Sequence, residues 1–332
     1  MENDMMPFFS VIVPLYNKER YVVRALKSIV AQREDDFEVI VIDDGSTDEG
    51  LSRARSISDL RIKIFSQENR GVAAARNEGV SLASGRWIAF LDADDLWGQD
   101  HLVELRRLVT RFPDAGLVGA SPQEVAEGGD IEFVQNSSPG SLRRINYFEE
   151  AAIDIGVINT SSIAVNRAVF DVLGGFSDHR YGEDLEYWAR VALEYPVAKS
   201  DRCTVVYFRG NGGAMEAMAK TAPSEVPPPT SLVDVSPSVA MLSVRLNGLS
   251  HQSALRMSVV RYINSRLVQG MRGSFIRGDM PSMKALRALC LPPLTGWRQR
   301  GWWLLTGLPS VVLSSVSRLR ALFKKTYLKF KG

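Results

Sequence analysis

The chain has 332 residues, 45% of them hydrophobic, which is enough to bury a full core and leaves room for one large domain with an appendage. Its net charge of +2 hides an uneven distribution, because residues 261–332 hold 14 of the 40 Lys and Arg but only one of the 38 acids, Asp279. Two cysteines, Cys203 and Cys290, without metal-ligand spacing exclude a disulfide-rich secreted class and indicate a reducing compartment. The acidic first ten residues indicate that no signal peptide is present.

Short apolar runs alternate with helical patterns over the first 120 residues. The predicted strands are FSVIVPL (9–15), FEVIVID (37–43), RIKIF (61–65) and RWIAFL (86–91). Between the first two, one apolar stripe predicts a helix with Asn17 as its N-cap. The alternation predicts an α/β fold of the Rossmann-like kind, a mostly parallel sheet flanked by helices with right-handed connections.

The pattern is weaker after residue 120. It predicts strands at DIEFVQ (130–135) and SSIAV (161–165), and helices at YGEDLEYWARVALEYP (181–196) and around residues 255–267. We expect three parts: a first domain over residues 1–210, a Gly/Pro-rich linker or mobile loop over residues 211–238, and a helical, basic region over residues 239–332.

Three polar loops follow the predicted strands at one edge of the sheet. They are PLYN (14–17), DDGSTD (43–48) and DADD (92–95). In parallel sheets of this kind the ligand crevice lies beyond the carboxyl ends of the strands. The sequence therefore predicts that the three loops converge on a ligand.

The DADD loop crowds three carboxylates, those of Asp92, Asp94 and Asp95, at the end of a strand. They repel one another unless a cation lies among them, and Mg²⁺ or Mn²⁺ prefers such oxygen ligands together with water and phosphate. The alternative is a solvated loop whose aspartates cap the helix that follows. The loop alone leaves both interpretations open.

Two further motifs carry polar groups suited to a nucleotide. Asp43 and Asp44 can accept hydrogen bonds from a nucleobase or a ribose, although an Asx turn would use the same carboxylates. Arg70 and Arg76 flank a helix start that attracts anions, and guanidinium is a natural partner of phosphate. The absence of Gly-x-Gly-x-x-Gly after the first strand, of a P-loop and of Gly-x-Ser-x-Gly argues against a dehydrogenase, a P-loop NTPase and an α/β-hydrolase.

Six motifs, taken in order, resemble a known family. They are VIVPLYN, VIVIDDGSTD, NRGVAAARNEG, WIAFLDADDLW, GGFSD and GEDLEYWAR. Together they resemble the inverting glycosyltransferases of family 2, which have the GT-A fold, over residues 8–210. The resemblance implies an enzyme that uses Mg²⁺ or Mn²⁺ and moves a sugar from a nucleotide-diphospho-sugar, expected to be a UDP-sugar, to a hydroxyl of a glycan or lipid-linked acceptor. It also implies a role in bacterial-type surface polysaccharide or glycolipid synthesis.

The resemblance further implies roles for individual residues. The implied donor-binding residues are Pro14, Tyr16, Asp43, Asp44, Arg76 and Asp92; the implied metal ligands are Asp92 and Asp94, with Asp95 as a further candidate; and the implied catalytic base is Asp184. The position of Asp184 alone is equally typical of a helix cap, because Glu183 and Asp184 begin a helix. The helix dipole would also lower the pKa of Asp184 and make it a weaker base.

Two other functions stay open at this point. A metal-dependent nucleotidyltransferase would pair similar carboxylates with a nucleotide but release pyrophosphate. A non-catalytic, membrane-bound scaffold could retain a degenerate nucleotide site, although the intact DADD and GED motifs argue against it.

The C-terminal sequence predicts a membrane-surface helix. One helical face carries Leu319, Leu322, Phe323, Tyr327 and Phe330, and basic residues flank it. The uncharged stretch 301–317 contains Pro309, glycines and serines, which disfavour a spanning helix. We therefore expect peripheral attachment to the cytoplasmic face of the cell membrane, in preference to a tail that packs on the first domain or in a homo-oligomer. No nucleic-acid-binding motif accompanies the basic tail, so nucleic acid is not an expected partner.

Deletion of residues 314–332 tests this expectation. Each Lys or Arg near an anionic surface contributes about 1 kcal/mol, so the truncated chain should move from the membrane to the soluble fraction of a lysate. Flotation with anionic vesicles measures the shift, and neutral vesicles serve as the control. Equal flotation of both chains would contradict the anchoring role.

Overall fold

A computed structural model describes residues 6–126, 140–209, 228–294 and 297–307. The chain divides into two compact units, the first formed by Met1–Tyr147 and Gly156–Gly213, the second by Phe148–Ile155 and Ala214–Gly332. The predicted strand at 130–135, most of the predicted linker and the basic tail at 314–332 lie outside the described residues. The predicted three-part division of the chain stays a prediction.

Within the described residues, the first unit contains one nine-stranded sheet of order β3-β2-β1-β4-β8-β6-β9-β5, with β7 paired to β9. The strands are β1 (Phe9–Leu15), β2 (Phe37–Asp43), β3 (Ile62–Ser66), β4 (Trp87–Phe90), β5 (Leu96–Trp97), β6 (Leu117–Ala126), β7 (Leu142–Ile145), β8 (Ile163–Asn166) and β9 (Val197–Arg209). The predicted strands at 9–15, 37–43, 61–65, 86–91 and 161–165 are confirmed to within two residues at each end.

The sheet is parallel in its first half and mixed in its second. Strand β1 pairs in parallel with β2 and β4, and β2 pairs in parallel with β3, because a helix connects each of these strands to the next. Strand β8 is antiparallel to both β4 and β6, while β6 and β9 are parallel. Strands β5 and β7 are antiparallel to β9. The parallel half places the ends of β1, β2 and β4 at one edge.

Helices cover the sheet and form the second unit. Those of the first unit are α1 (Val22–Val30), α2 (Gly50–Arg55), α3 (Val72–Leu82), α4 (His101–Arg111), α6 (Arg167–Leu173) and α7 (Glu183–Glu194), and α5 (Tyr147–Ala151) begins at the boundary between the units. Those of the second unit are α8 (Pro237–Arg245), α9 (Ala254–Arg277), α10 (Met280–Ala288) and α11 (Trp297–Thr306). The predicted helices at 181–196 and around 255–267 are confirmed as α7 and α9.

Alternate residues of the central strand β1 face opposite layers of helices. Val11 and Val13 pack in the core that contains the apolar stripe of α1, including Leu26. On the other face, Gly79 of α3 lies directly against Ile12. Burial on both faces is the reason why the sequence of β1 is a continuous apolar run rather than an alternating one.

The prediction that Asn17 caps α1 is wrong. The N-cap position is Tyr21, whose side chain makes no capping hydrogen bond. Asn17 instead adopts a left-handed conformation with φ of 51°, which Asn tolerates better than most residues, and its side chain binds the backbone of Thr47.

The buried side-chain amide of Asn264 stabilises the packing of the second unit together with apolar contacts. Asn264 of α9 is fully buried, and its side chain donates to Leu291 O at 2.7 Å and accepts from Leu291 N at 2.8 Å. This pair satisfies both polar ends of the amide and fixes the segment after α10 on α9. Among the helices of the described residues, none has the length and apolar character needed to cross a bilayer.

Replacement of Gly79 by Ala should destabilise the first unit by about 1–3 kcal/mol, because the added Cβ would lie 2.4 Å from Ile12 Cγ2. Urea unfolding measures the change. Gly301→Ala is the matched control, since a Cβ at that helical position meets nothing within 4 Å and should stabilise by about 0.5–1 kcal/mol. Equal effects at the two positions would contradict the close packing of α3 on β1.

Candidate active site

The loops after β1 and β2 are joined by hydrogen bonds. Asn17 Oδ1 accepts from the backbone N of Thr47 at 2.8 Å, and Asn17 N donates to Ser46 Oγ at 3.2 Å. Two residues further, the backbone N of Glu19 donates to Asp48 Oδ2 at 2.9 Å. The PLYN and DDGSTD motifs therefore form one continuous rim at the carboxyl edge of the sheet.

Asp44 connects this rim to the start of α3. Its Oδ1 accepts from Gln67 Nε2 at 2.7 Å and from Arg70 N at 2.9 Å, and its Oδ2 accepts from Gly71 N at 2.8 Å. Three donors satisfy both oxygens of a buried carboxylate. Asp43, also buried, accepts from Ser46 N at 3.2 Å in the local turn that the sequence left open.

Two basic side chains from elsewhere in the chain form ion pairs with the carboxylate loop. Lys18 Nζ lies 2.6 Å from Asp94 Oδ2, and Arg76 Nη2 lies 2.9 Å from Asp92 Oδ1. Arg24 adds a 2.8 Å hydrogen bond to the backbone O of Asp94. The repulsion expected among the aspartates is thus reduced by cations of the protein itself.

Asp95 has a different environment from its neighbours. It is buried, and its two oxygens accept from Ser161 Oγ at 2.5 Å and from the backbone N of Phe208 at 3.2 Å. Burial, followed by the nearby charges of Asp94 and Asp92, raises the pKa of Asp95 well above its ordinary value. The side chain ties the loop to the protein interior.

Ser161 holds three points of the loop at once. Besides donating to Asp95, its Oγ accepts from the backbone N of Asp92 at 3.1 Å, and its backbone O accepts from Trp97 Nε1 at 2.6 Å. Trp97 is buried and packs against His101 with ring centroids 4.4 Å apart. Burial lowers the pKa of His101 to about 3, so this ring is neutral near pH 7.

Arg76 connects the carboxylate loop to α7. Its buried guanidinium lies between Asp92 and Glu183, with Arg76 Nη1 2.8 Å from Glu183 Oε1. Burial alone would lower the pKa of Arg76, but the carboxylates of Asp92, Glu183 and Asp184 outweigh that effect and raise it. The buried Nε atom of Arg76 has no hydrogen-bond partner in the described structure.

Asp184, the predicted base, lies beside this ion pair in the first turn of α7. Its Oδ1 accepts from Leu185 N at 2.7 Å, and its Oδ2 is 3.4 Å from Thr160 Oγ1. Burial of the carboxylate raises the pKa of Asp184, while Arg76 partly opposes the rise. The expected lowering by the helix dipole is therefore wrong in direction, because the loss of solvent outweighs it.

Asp92 and Asp94 fit a divalent cation better than Asp95 does. Both lie on the loop at the sheet edge and keep part of their surface exposed, whereas both oxygens of Asp95 are used by internal donors. Within the residues that the structure describes, no group of three or more His, Cys, Asp and Glu side chains is arranged to hold a metal. One or two carboxylates are nevertheless sufficient for Mg²⁺ when phosphates and water complete the shell.

The remaining predicted donor residues lie on the same rim. Pro14 is buried at the end of β1, and Tyr16 beyond it is 47% exposed. The structure thus brings the predicted residues of all these motifs into one connected cluster, although their individual roles stay predictions.

Comparison with known proteins identifies the domain. Residues 10–173 match the model of the family described as Glycosyl transferase family 2. This part of the chain belongs to glycosyltransferase family 2. An uncharacterized glycosyltransferase of Rickettsia conorii is 47% identical to the chain over 201 residues, which are 58% of this chain and 31% of that relative. Succinoglycan biosynthesis protein ExoO of Rhizobium meliloti is 40% identical over 114 residues, 34% of this chain and 32% of that protein.

The chain spans about a third of the length of these curated relatives. Among solved structures, S. aureus TarS in complex with UDP-GlcNAc matches with a TM-score of 0.65 at 19% identity, over 86% of this chain and 80% of that chain. Mannosyltransferase PcManGT from Pyrobaculum calidifontis, in complex with GDP-Man and Mn²⁺, matches with a TM-score of 0.51 at 19% identity, over 95% and 88%. These likenesses show the fold, and they confirm the GT-A fold predicted for the family 2 domain.

Lys18 and Ser161 were not identified as site residues from the sequence. Lys18 and Asp94 are in contact although 76 positions separate them in the sequence, and Ser161 and Asp95 are 66 positions apart. A lysine after a strand and a serine within an apolar run carry no signal of these contacts. Only the folded chain brings them to the carboxylate loop of the family 2 domain.

Ser161→Ala should destabilise the domain by about 1–3 kcal/mol, because it removes a donor from the buried carboxylate of Asp95 and an acceptor from Asp92 N. Urea unfolding measures the loss. Ser81→Ala, which removes only a local hydrogen bond to Glu78 O on an exposed helix surface, should change stability by less than about 0.5 kcal/mol. If Ser161→Ala behaves like this control, Ser161 does not hold the loop.

Proposed function

We propose that this chain transfers a sugar, with inversion, from a nucleotide-diphospho-sugar to a hydroxyl of a glycan or lipid-linked acceptor. The observation that carries the proposal is the connected cluster itself, in which Arg76 joins the carboxylate loop to the helix of Asp184. It combines residues for a nucleotide, for a diphosphate and for a proton acceptor at the ligand edge of one sheet.

The rim formed by Tyr16, Asp43 and Asp44 is the proposed nucleoside site. Its joined loops offer the exposed ring of Tyr16 and the carboxylate of Asp43, which suit a base and a ribose. Asp44 contributes by holding the loop against the start of α3, since internal donors occupy both of its oxygens. The TarS structure is a complex with UDP-GlcNAc, which supports a UDP-sugar as the donor here. Pro14 would shape the floor of this site at the end of β1.

Asp92 and Asp94 are the proposed holders of Mg²⁺ or Mn²⁺, and the Mn²⁺ of the PcManGT complex supports this assignment. When bound, the cation would neutralise the negative charge that grows on the departing diphosphate. Asp95 contributes by fixing the loop rather than by direct ligation, since internal donors occupy both of its oxygens. Arg76 places positive charge beside Asp92, where the diphosphate is expected.

Asp184 is the proposed base. Burial raises the pKa of Asp184, which makes it a better proton acceptor than an ordinary aspartate, and the charge of Arg76 opposes the rise. The transition state of glycosyl transfer is oxocarbenium-like, so the acceptor hydroxyl needs only modest activation. The proton of that hydroxyl passes to Asp184 as the new glycosidic bond forms and the bond to the diphosphate breaks.

We place this activity in surface polysaccharide or glycolipid synthesis, on the cytoplasmic face of the cell membrane. The succinoglycan biosynthesis relative supports the first part, and the basic, amphipathic sequence of residues 318–331 supports the second.

Asp184→Asn should reduce sugar transfer by about 10²–10⁴-fold, because the amide cannot accept the proton of the hydroxyl. Donor affinity should change by less than about threefold, since the substitution keeps the shape of the side chain and its contact with Leu185 N. Calorimetric titration with UDP and an assay of released UDP measure the two quantities. In the unchanged enzyme, transfer should fall as the pH drops through a pKa above 3.8, the ordinary value for Asp.

Two outcomes would contradict these assignments. Equal loss of transfer and donor affinity would show that Asp184 is structural. Release of pyrophosphate in place of a nucleoside diphosphate would identify a nucleotidyltransferase.

A further inference from the structure

Lys18 forms an ion pair with a candidate metal ligand. Its Nζ is 2.6 Å from Asp94 Oδ2, and the two side chains are only 21% and 14% exposed. An ammonium group and a divalent cation repel each other at one carboxylate, and they compete for the lone pairs of the same oxygen. Binding of a cation at Asp94 Oδ2 therefore favours movement of Lys18 to another partner.

The backbone on either side of Lys18 is fixed to the rim. Asn17 binds Thr47 and Ser46, and Glu19 N binds Asp48, so the residue cannot leave the rim without breaking these hydrogen bonds. Its side chain, in contrast, has four rotatable methylene groups and ends in a compact charge that binds phosphate as a point cation. The ammonium can thus change partner while the backbone stays in place.

We propose that Lys18 is a donor-binding residue that exchanges partners: it pairs with Asp94 before the donor binds, and it moves to a phosphate oxygen of the diphosphate when a divalent cation binds Asp94. The inference rests on the proposed function. It adds Lys18 as a donor-binding residue and the order in which positive charges pair with Asp94 and with the diphosphate. In this exchange Asp94 always has a positively charged partner, first the ammonium of Lys18 and then the divalent cation. The displaced ammonium binds the diphosphate of the incoming donor.

Calorimetric titration of the full chain with Mn²⁺ alone, and then with UDP at saturating Mn²⁺, tests the exchange. Lys18→Met should bind Mn²⁺ about fivefold more tightly, the factor expected for the loss of a strong, partly exposed ion pair, and should bind UDP about fivefold more weakly. Lys18→Arg keeps the charge and should bind UDP within about twofold of the unchanged chain. Lys63→Met is the matched control, because Lys63 pairs with Glu38 instead, and it should alter neither affinity.

The competition for Asp94 and the contact with phosphate are tested separately. Unchanged Mn²⁺ affinity in Lys18→Met overturns the competition for Asp94, and unchanged UDP affinity overturns the phosphate contact. If the unchanged chain binds UDP without taking up Mn²⁺, the exchange is overturned while the nucleotide function stands. If it binds no UDP at all, the proposed function itself is overturned. Thermal unfolding of each variant shows whether it is folded.

Discussion

One buried guanidinium joins the two acidic parts of the site. Arg76 lies between Asp92 of the carboxylate loop and Glu183 of α7, and its charge also acts on Asp184. Removal of one partner from such a buried arrangement costs about 3–5 kcal/mol, because the remaining charge stays in a poorly solvated place. The loop and the helix are therefore held in a fixed relation, which in the proposed function is the relation between the departing diphosphate and the proton acceptor.

The other contacts of the site also join distant parts of the chain, since a polar group in one loop forms a hydrogen bond with a residue from another. Asn17 binds the loop after β2, Asp44 binds the start of α3, and Ser161 binds the carboxylate loop. None of these bonds lies within one helix or strand ladder. The site is consequently a product of the sheet order, which brings distant parts of the chain to one edge.

The sequence was sufficient for five of the nine described strands, for several of the helices and for the edge at which the polar loops meet, because period and composition report burial directly. It gave no signal for β5, β6, β7 and β9. The sequence could not predict which side chains form hydrogen bonds and ion pairs with one another in the folded site. Asp95 was grouped with Asp92 and Asp94 because all three share a loop, yet burial against Ser161 separates it from them. The sequence predicts the wrong direction for the pKa of Asp184, because the helix dipole is visible in a sequence whereas loss of solvent is not. It also predicts Asn17 as a helix cap, because nothing local indicates its partner Thr47, which lies 30 positions away.

The three hydrogen bonds received by Asp44 hold one corner of the rim in place before any ligand binds. They fix the end of β2 against the first residues of α3 by contacts internal to the protein. In the proposed function, a nucleoside that enters this corner would meet walls already in position, so little of its intrinsic affinity would be consumed in ordering loops. Such a preorganised corner would favour repeated loading of the donor.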